Sequence, residues 1–192
     1  MRGMGSGEMA PETPEPKKVG HRWVANAGGC HAAAFDSTGS RLATVGVDKL
    51  VHVWEPSAGT HISTLRSALQ TVVDVAFSPD DKFLLASSSD HALRLWDVTS
   101  GRIRHTLTGH SDKVAALCFS LQDGSRAVSC GSDRCIKVWD LNKGYCVKSL
   151  MCASSCGSLC MTVDGNVIVS GHFDGTLRFW DVRKGDLTHE VE

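Results

Sequence analysis

His110, Ser129 and Asp133 stand close together in the chain, with Gly109 just before the histidine. These are the residue types of nucleophilic catalysis, in which a base takes the serine proton and a carboxylate orients the base. That chemistry needs an exposed serine beside the base and N–H donors for the oxyanion. No G-x-S-x-G elbow surrounds Ser129. A second observation weighs more. The pattern recurs in partial copies: Thr44 with Asp48, Ala86 with Asp90, and Ser170 with Asp174. The first and last copies have no histidine in the lead-in loop. A reaction centre is not scattered in fragments, whereas a repeated structural device is. A hydrolase built on His110 and Ser129 therefore ranks below a structural reading, and no catalytic residue is expected.

The eight cysteines offer a second chemistry: Cys30, Cys118, Cys130, Cys135, Cys146, Cys152, Cys156 and Cys160. Cys152, Cys156 and Cys160 invite a zinc reading. Yet the chain has no C-x-x-C pair, and no histidine follows at finger spacing. The first twenty residues hold no apolar run that reads as a secretory signal, and no stretch approaches a membrane span. The thiols are expected to be reduced and to pack as small hydrophobes in a cytoplasmic protein without metal or cofactor. A formal charge of −1 argues against a nucleic-acid partner.

The elements that position these residues follow from one interval. Asp48, Asp90, Asp133 and Asp174 are each followed six positions later by a tryptophan: Trp54, Trp96, Trp139 and Trp180. The tryptophans recur about every 42 residues, the spacing of β-propeller blades at roughly 40–45 residues each. Each repeat has one grammar. A first strand ends at Phe35, Phe77, Phe119 or Met161, a turn follows, and a second strand reads RLATV, FLLAS, RAVSC or VIVS. A tight turn then carries the aspartate. The third strand alternates, with Arg94, Lys137 and Arg178 on one face, which marks a half-buried strand. HISTL, RIRHTL, YCVKSL and DLTHEVE supply the fourth strands. The expected fold is all-β, with four repeats over 21–66, 67–108, 109–150 and 151–192. A Pro-, Gly- and Glu-rich lead over residues 1–20 is expected to be disordered. Helical repeats would need apolar spacing of three and four, and a sandwich does not repeat an Asp-to-Trp interval.

Gly109-His110, with W-D at 96–97, 139–140 and 180–181 and W-E at 54–55, resembles the WD40 family. The resemblance runs from about residue 21 to 192. Three segments, RHTLTGHSDKV (104–114), IKVWDLNKGYC (136–146) and SGHFDGTLRFWDV (170–182), are similar to the propeller region of the autophagy-related protein 16 family, its plant members especially. The resemblance implies a buried relay running from turn aspartate to histidine to serine to indole, with His110, Ser129, Asp133 and Trp139 as its full form. Thr44, Asp48, Trp54, Asp90, Trp96, Ser170, Asp174 and Trp180 make its partial forms. It also implies a non-enzymatic scaffold in a complex with the conjugate of autophagy-related proteins 5 and 12. That complex directs lipidation of the ubiquitin-like protein 8 at the autophagosomal membrane, by peripheral association. The segment that binds protein 5 and the coiled coil of that family are not recognisable in this sequence. About four blades of an expected seven are present, so an open arc or a fragment is expected.

Propellers bind partners through the loops of one rim. Lys49, His91, Arg134 and Phe173 flank the aspartate turns, and Lys113 joins them from a connection. Phe173 stands out as an apolar residue at a tight turn, the sort of anchor that hot spots use. On the other face, WDVR at 180–183 matches the W-D-x-R pattern of cullin-4 ubiquitin-ligase receptors, with Arg183 as the adaptor-contacting residue.

Overall fold

The computed structural model describes residues 23–122 and 124–192. The expected disordered lead, 1–20, lies outside them. Sixteen strands and no helix occur among the described residues. The first sheet holds β1 (Cys30–Phe35), β2 (Leu42–Gly46), β3 (Leu50–Glu55) and β4 (Thr60–Arg66). The second holds β5 (Val72–Phe77), β6 (Phe83–Ser88), β7 (Leu93–Asp97) and β8 (Ile103–Leu107). The third holds β9 (Val114–Phe119), β10 (Arg126–Gly131), β11 (Cys135–Asp140) and β12 (Tyr145–Met151). The fourth holds β13 (Cys156–Met161), β14 (Val167–His172), β15 (Leu177–Asp181) and β16 (Leu187–Val191). Within each sheet every strand pairs antiparallel with its sequence neighbours, as short turns allow.

The inner strands stack in succession, β1 on β5, β5 on β9 and β9 on β13. Three apolar layers fill the spaces between sheets. Ala43, Val45, Val51 and Val53 meet Val75, Leu84 and Trp96 in the first. Leu85, Leu93 and Leu95 meet Leu117, Phe119 and Trp139 in the second. Val128, Ile136 and Val138 meet Ile168 and Trp180 in the third. Each buried Val, Leu, Ile or Phe among them contributes on the order of 1.5–3 kcal/mol by leaving water. The strand alternation therefore has a direction: Trp96, Trp139 and Trp180 each face the preceding sheet. The result is an all-β arc of four propeller blades. On the last blade Leu177 is 47% exposed, whereas its counterparts Val51, Leu93 and Ile136 are at most 1% exposed.

One irregularity repeats in all four blades. The third and fourth strands shift register just before each tryptophan, at Val53/Trp54, Leu95/Trp96, Val138/Trp139 and Phe179/Trp180. Such a bulge bends the strand and re-aims the next side chain. The extra residue lies on the fourth strand, and the pairing of the third strand with the second stays regular. Each indole therefore lies over the second strand, where a hydroxyl stands in three of the four blades.

Candidate functional site

The turn between second and third strands is built the same way in every blade. The aspartate carboxylate accepts the N–H two residues on: Leu50 at 3.2 Å, Ala92 at 3.3 Å, Cys135 at 3.1 Å and Thr176 at 3.2 Å. Aspartate stabilises a turn by this local bond. The residue between takes a left-handed conformation: Lys49 (φ 66°), His91 (φ 68°), Arg134 (φ 59°) and Gly175 (φ 86°). Just ahead of Arg134, Gly131 leaves room for the lead-in chain, since a Cβ there would sit 2.4 Å from the Lys113 carbonyl oxygen.

What the aspartate does with its remaining capacity differs between blades. In the third, His110 Nδ1 lies 2.8 Å from Asp133, His110 Nε2 lies 2.7 Å from Ser129 Oγ, and Trp139 Nε1 donates to the same Oγ at 2.8 Å. The donors balance when neutral His110 gives its Nδ1 proton to Asp133 and accepts the serine proton at Nε2. Burial supports that state, holding the His110 pKa down more than Asp133 raises it. The arrangement has the order of a hydrolytic triad, but Ser129 is fully buried and its oxygen already receives the indole. No substrate carbonyl can reach it.

The fourth blade wires the same parts differently. Trp180 Nε1 donates to Ser170 Oγ at 2.9 Å, and the imidazole on that hydroxyl is His172, at 2.8 Å. His172 Nδ1 meets the Ser154 carbonyl at 3.0 Å, so Asp174 lies outside the relay. Asp174 binds Arg178 at 2.8 Å and Thr176 at 2.6 Å instead, and these hold its pKa far below the usual carboxylate range. In the first blade Trp54 donates to Thr44 at 2.9 Å, while Asp48 takes Asn26 at 3.0 Å and His52 at 3.2 Å. In the second blade Ala86 offers no hydroxyl, and Asp90 pairs with Arg94 at 2.9 Å in a buried ion pair. Burial pushes the Asp48 and Asp90 pKa values up, but their hydrogen bonds outweigh it and both end below the usual value. Asn26, His52 and His172 were not singled out from the sequence.

The expected rim residues cluster where these turns emerge. Lys49, His91, Lys113 and Arg134 are all exposed. Phe173 is 78% exposed, with its ring edge against Gly157. Leu69 and Met151 extend the apolar part of the rim: the Leu69 N–H donates to Asp90, and Met151 pairs with Cys135 beside Arg134. Arg183 lies on the other side of the molecule, exposed, its backbone N–H held by Asp181 at 2.8 Å. Among the described residues no group of three or more His, Cys, Asp or Glu side chains is arranged to hold a metal ion, and no helix is long and apolar enough to cross a membrane.

Comparison with known proteins fits this geometry. The family described as WD domain, G-beta repeat matches residues 15–55, 59–97, 101–140 and 144–181. Each match after the first opens on the fourth strand of the preceding sheet, so repeat and blade are offset by one strand. The chain is 42% identical over 180 residues to Autophagy-related protein 16 of Arabidopsis thaliana, covering 94% of this chain and 35% of that protein. It is 43% identical over 183 residues to Protein tipD of Dictyostelium discoideum, covering 95% and 30% respectively. A more distant likeness, 30% over 162 residues, is to Pre-mRNA-splicing factor cwf17 of Schizosaccharomyces pombe, covering 83% and 47%. The chain thus spans about a third of the length of the first two relatives.

Proposed function

Because the chain belongs to the WD domain, G-beta repeat family, we propose that it is a non-catalytic docking platform and that the platform serves autophagy. The observation that carries the reading is the 42% identity with Autophagy-related protein 16, sustained over 94% of the chain. The buried Ser129 and the exposed rim support it from the physical side: the polar constellation has no access to substrate, and the variable side chains stand outside. In this reading the chain works in the cytoplasm, in a complex with the conjugate of autophagy-related proteins 5 and 12, and meets autophagosomal membranes peripherally. There the complex promotes lipidation of the ubiquitin-like protein 8. The rim residues Phe173, Arg134, His91, Lys49 and Lys113 are the protein-binding contacts. The test is localisation of the tagged chain in nutrient-starved cells. It is expected to form puncta that coincide with lipidated protein 8, and Phe173→Ala with Arg134→Glu is expected to disperse them without lowering the melting temperature. A parent chain that stays diffuse under starvation would sink the proposal.

Arg183 favours a second reading, as receptor of a cullin-4 ubiquitin ligase, because its exposed guanidinium makes no hydrogen bond among the described residues. A pull-down in which parent and Arg183→Ala recover equal adaptor would remove it.

A further inference from the structure

A groove runs along the seam between the third and fourth blades, on the side away from the aspartate turns. It consists of two adjoining cavities of about 360 and 200 Å³ that share Arg126, Val138 and Val182. The larger is completed by Val147, Lys148 and Arg183. These residues come from β10, β11 and β12 of the third blade and from the chain after β15, which meets them only when the fourth blade packs alongside. The larger cavity has the size of a small-ligand pocket, roughly 300 Å³ or more.

Its chemistry is one-sided. Three cations line the larger cavity, and no described carboxylate lines either one. Neither the Arg126 nor the Arg183 guanidinium makes a hydrogen bond or a close ion pair among the described residues, although Arg183 lies near enough to Asp181 to help hold that carboxyl below its usual pKa. Lys148 is different, because it is already fixed in place. Its Nζ donates across the seam to the carbonyl oxygens of Val182, at 3.1 Å, and Arg183. An ammonium has three N–H donors, so one is left over. The stem is held as well: Gly185, at φ 85°, lies so close that a Cβ would meet Lys148 Cδ at 3.2 Å. A cation fixed in this way does not lose its own side-chain entropy again when it meets an anion.

The floor is apolar. Val138 and Val182, almost wholly buried, line it together with Val147, which is 47% exposed. A site for phosphate alone would have no use for two valines. A polyanion or a charged membrane would call for a broad basic face, whereas here three cations gather at one mouth of a chain whose formal charge is −1. Charge and floor together fit carboxylates that alternate with aliphatic side chains on an extended backbone.

We propose that this seam binds an acidic, extended peptide segment. One carboxylate sits among Lys148, Arg126 and Arg183, and the next aliphatic side chain lies on Val138 and Val182. The bonds that hold the carboxylate are charge-assisted and can be bidentate at either arginine. The inference uses no rim residue and does not depend on the autophagy reading. It also differs from adaptor capture by Arg183 alone, because it requires Arg126 and Lys148.

The experiment is a fluorescence-polarisation titration of the full chain with a fluorescein-labelled octapeptide of alternating Glu and Leu. Binding is expected to weaken on the order of tenfold or more for Arg126→Ala or Arg183→Ala, the loss of a charged hydrogen bond. It should vanish for the double charge reversal Arg126→Glu/Arg183→Glu and for a peptide with Gln in place of Glu. Phe173→Ala should bind as the parent does, which separates failure here from failure of the rim. The arginines are exposed, and unchanged melting curves will show that their variants fold. Equal binding of the Glu and Gln peptides, or parent-like binding by the double reversal, overturns the proposal. So does a chain that ignores the peptide but sediments with phosphatidylserine-containing vesicles through Arg126 and Arg183.

Discussion

Ser129→Ala is the sharpest perturbation of the polar core. The serine hydroxyl accepts the Trp139 N–H at 2.8 Å and faces His110 Nε2 at 2.7 Å, so alanine removes two bonds at once. Trp139 and Ser129 are fully buried, and no solvent replaces the lost partner of the indole. A buried donor left alone costs about 1–3 kcal/mol, and here the upper part of that range applies. His110 keeps Asp133, so only one of its two ring nitrogens loses a partner, and that loss belongs at the lower end. The two together come to about 2–4 kcal/mol. For a chain of this size a kcal/mol moves the melting temperature by about 2–4 °C, which gives a fall of roughly 5–15 °C. Circular-dichroism melts and urea titrations read the loss. A cycle with Trp139→Phe isolates the indole bond: without the N–H, Ser129→Ala should cost less by about 1–2 kcal/mol. A variant melting within about 1 °C of the parent, or an equal cost in both backgrounds, would refute the relay argument. A variant that loses a hydrolytic activity at unchanged stability would restore the catalytic reading.

Two further outcomes follow from the same turns. His110 has its pKa lowered from 6.5 on folding, so below that pH the unfolded chain binds a proton that the native state resists. Stability should therefore decline as pH falls through 6.5 towards the native value, and His110→Asn should remove that step. The lowered carboxylates Asp48 and Asp90 act in a separate window, losing their contribution only as pH drops below about 3.8. A measured rise in stability between pH 7 and 5 would contradict the assignment. At the rim, Lys49→Gly and Arg134→Gly should each stabilise the fold by up to about 1 kcal/mol, because glycine adopts the left-handed conformation without the side-chain penalty. Gly175 already does so in the fourth blade. The same variants should weaken partner binding, and a lowered melting temperature would show that the turns carry no such strain.

The blades were legible because their signals are local. Alternating side chains mark the strands, and the Asp-to-Trp interval fixes turn and third strand together. The register shift before each tryptophan is not legible, since it leaves the interval unchanged and alters only pairing. Some relay partners could have been read. His172 lies two residues beyond Ser170 on β14, and period two puts both on one face. Asn26 precedes Asp48 by nearly the distance at which His110 precedes Asp133. The left-handed backbone at Lys49 and Arg134 could not have been read, because neither is a residue that the conformation favours. Nor could the seam groove, whose third cation, Arg183, joins Arg126 and Lys148 only when the fourth blade packs on the third.

The turn aspartate is the constant from which the variation can be understood. Each sits at the start of a third strand, and each must find donors beyond its own turn or stay as an underpaired charge near the core. Four residues on, the third strand offers a side chain to the same carboxylate: His52, Arg94, Lys137 or Arg178. Where no loop histidine reaches the aspartate, this position satisfies it, at 3.2 Å from His52, 2.9 Å from Arg94 and 2.8 Å from Arg178. Where His110 does reach it, the cation is released, and Lys137 turns to Ser149 at 2.8 Å. The histidine relay is thus one of two solutions to a single electrostatic problem. Either solution leaves the turn in the same shape and the next residue pointing outward in the same left-handed conformation. A blade can therefore exchange its internal wiring without moving the side chain that it presents at the rim. That independence is what a docking platform needs, and it explains why a constellation resembling a triad appears complete in only one blade of four.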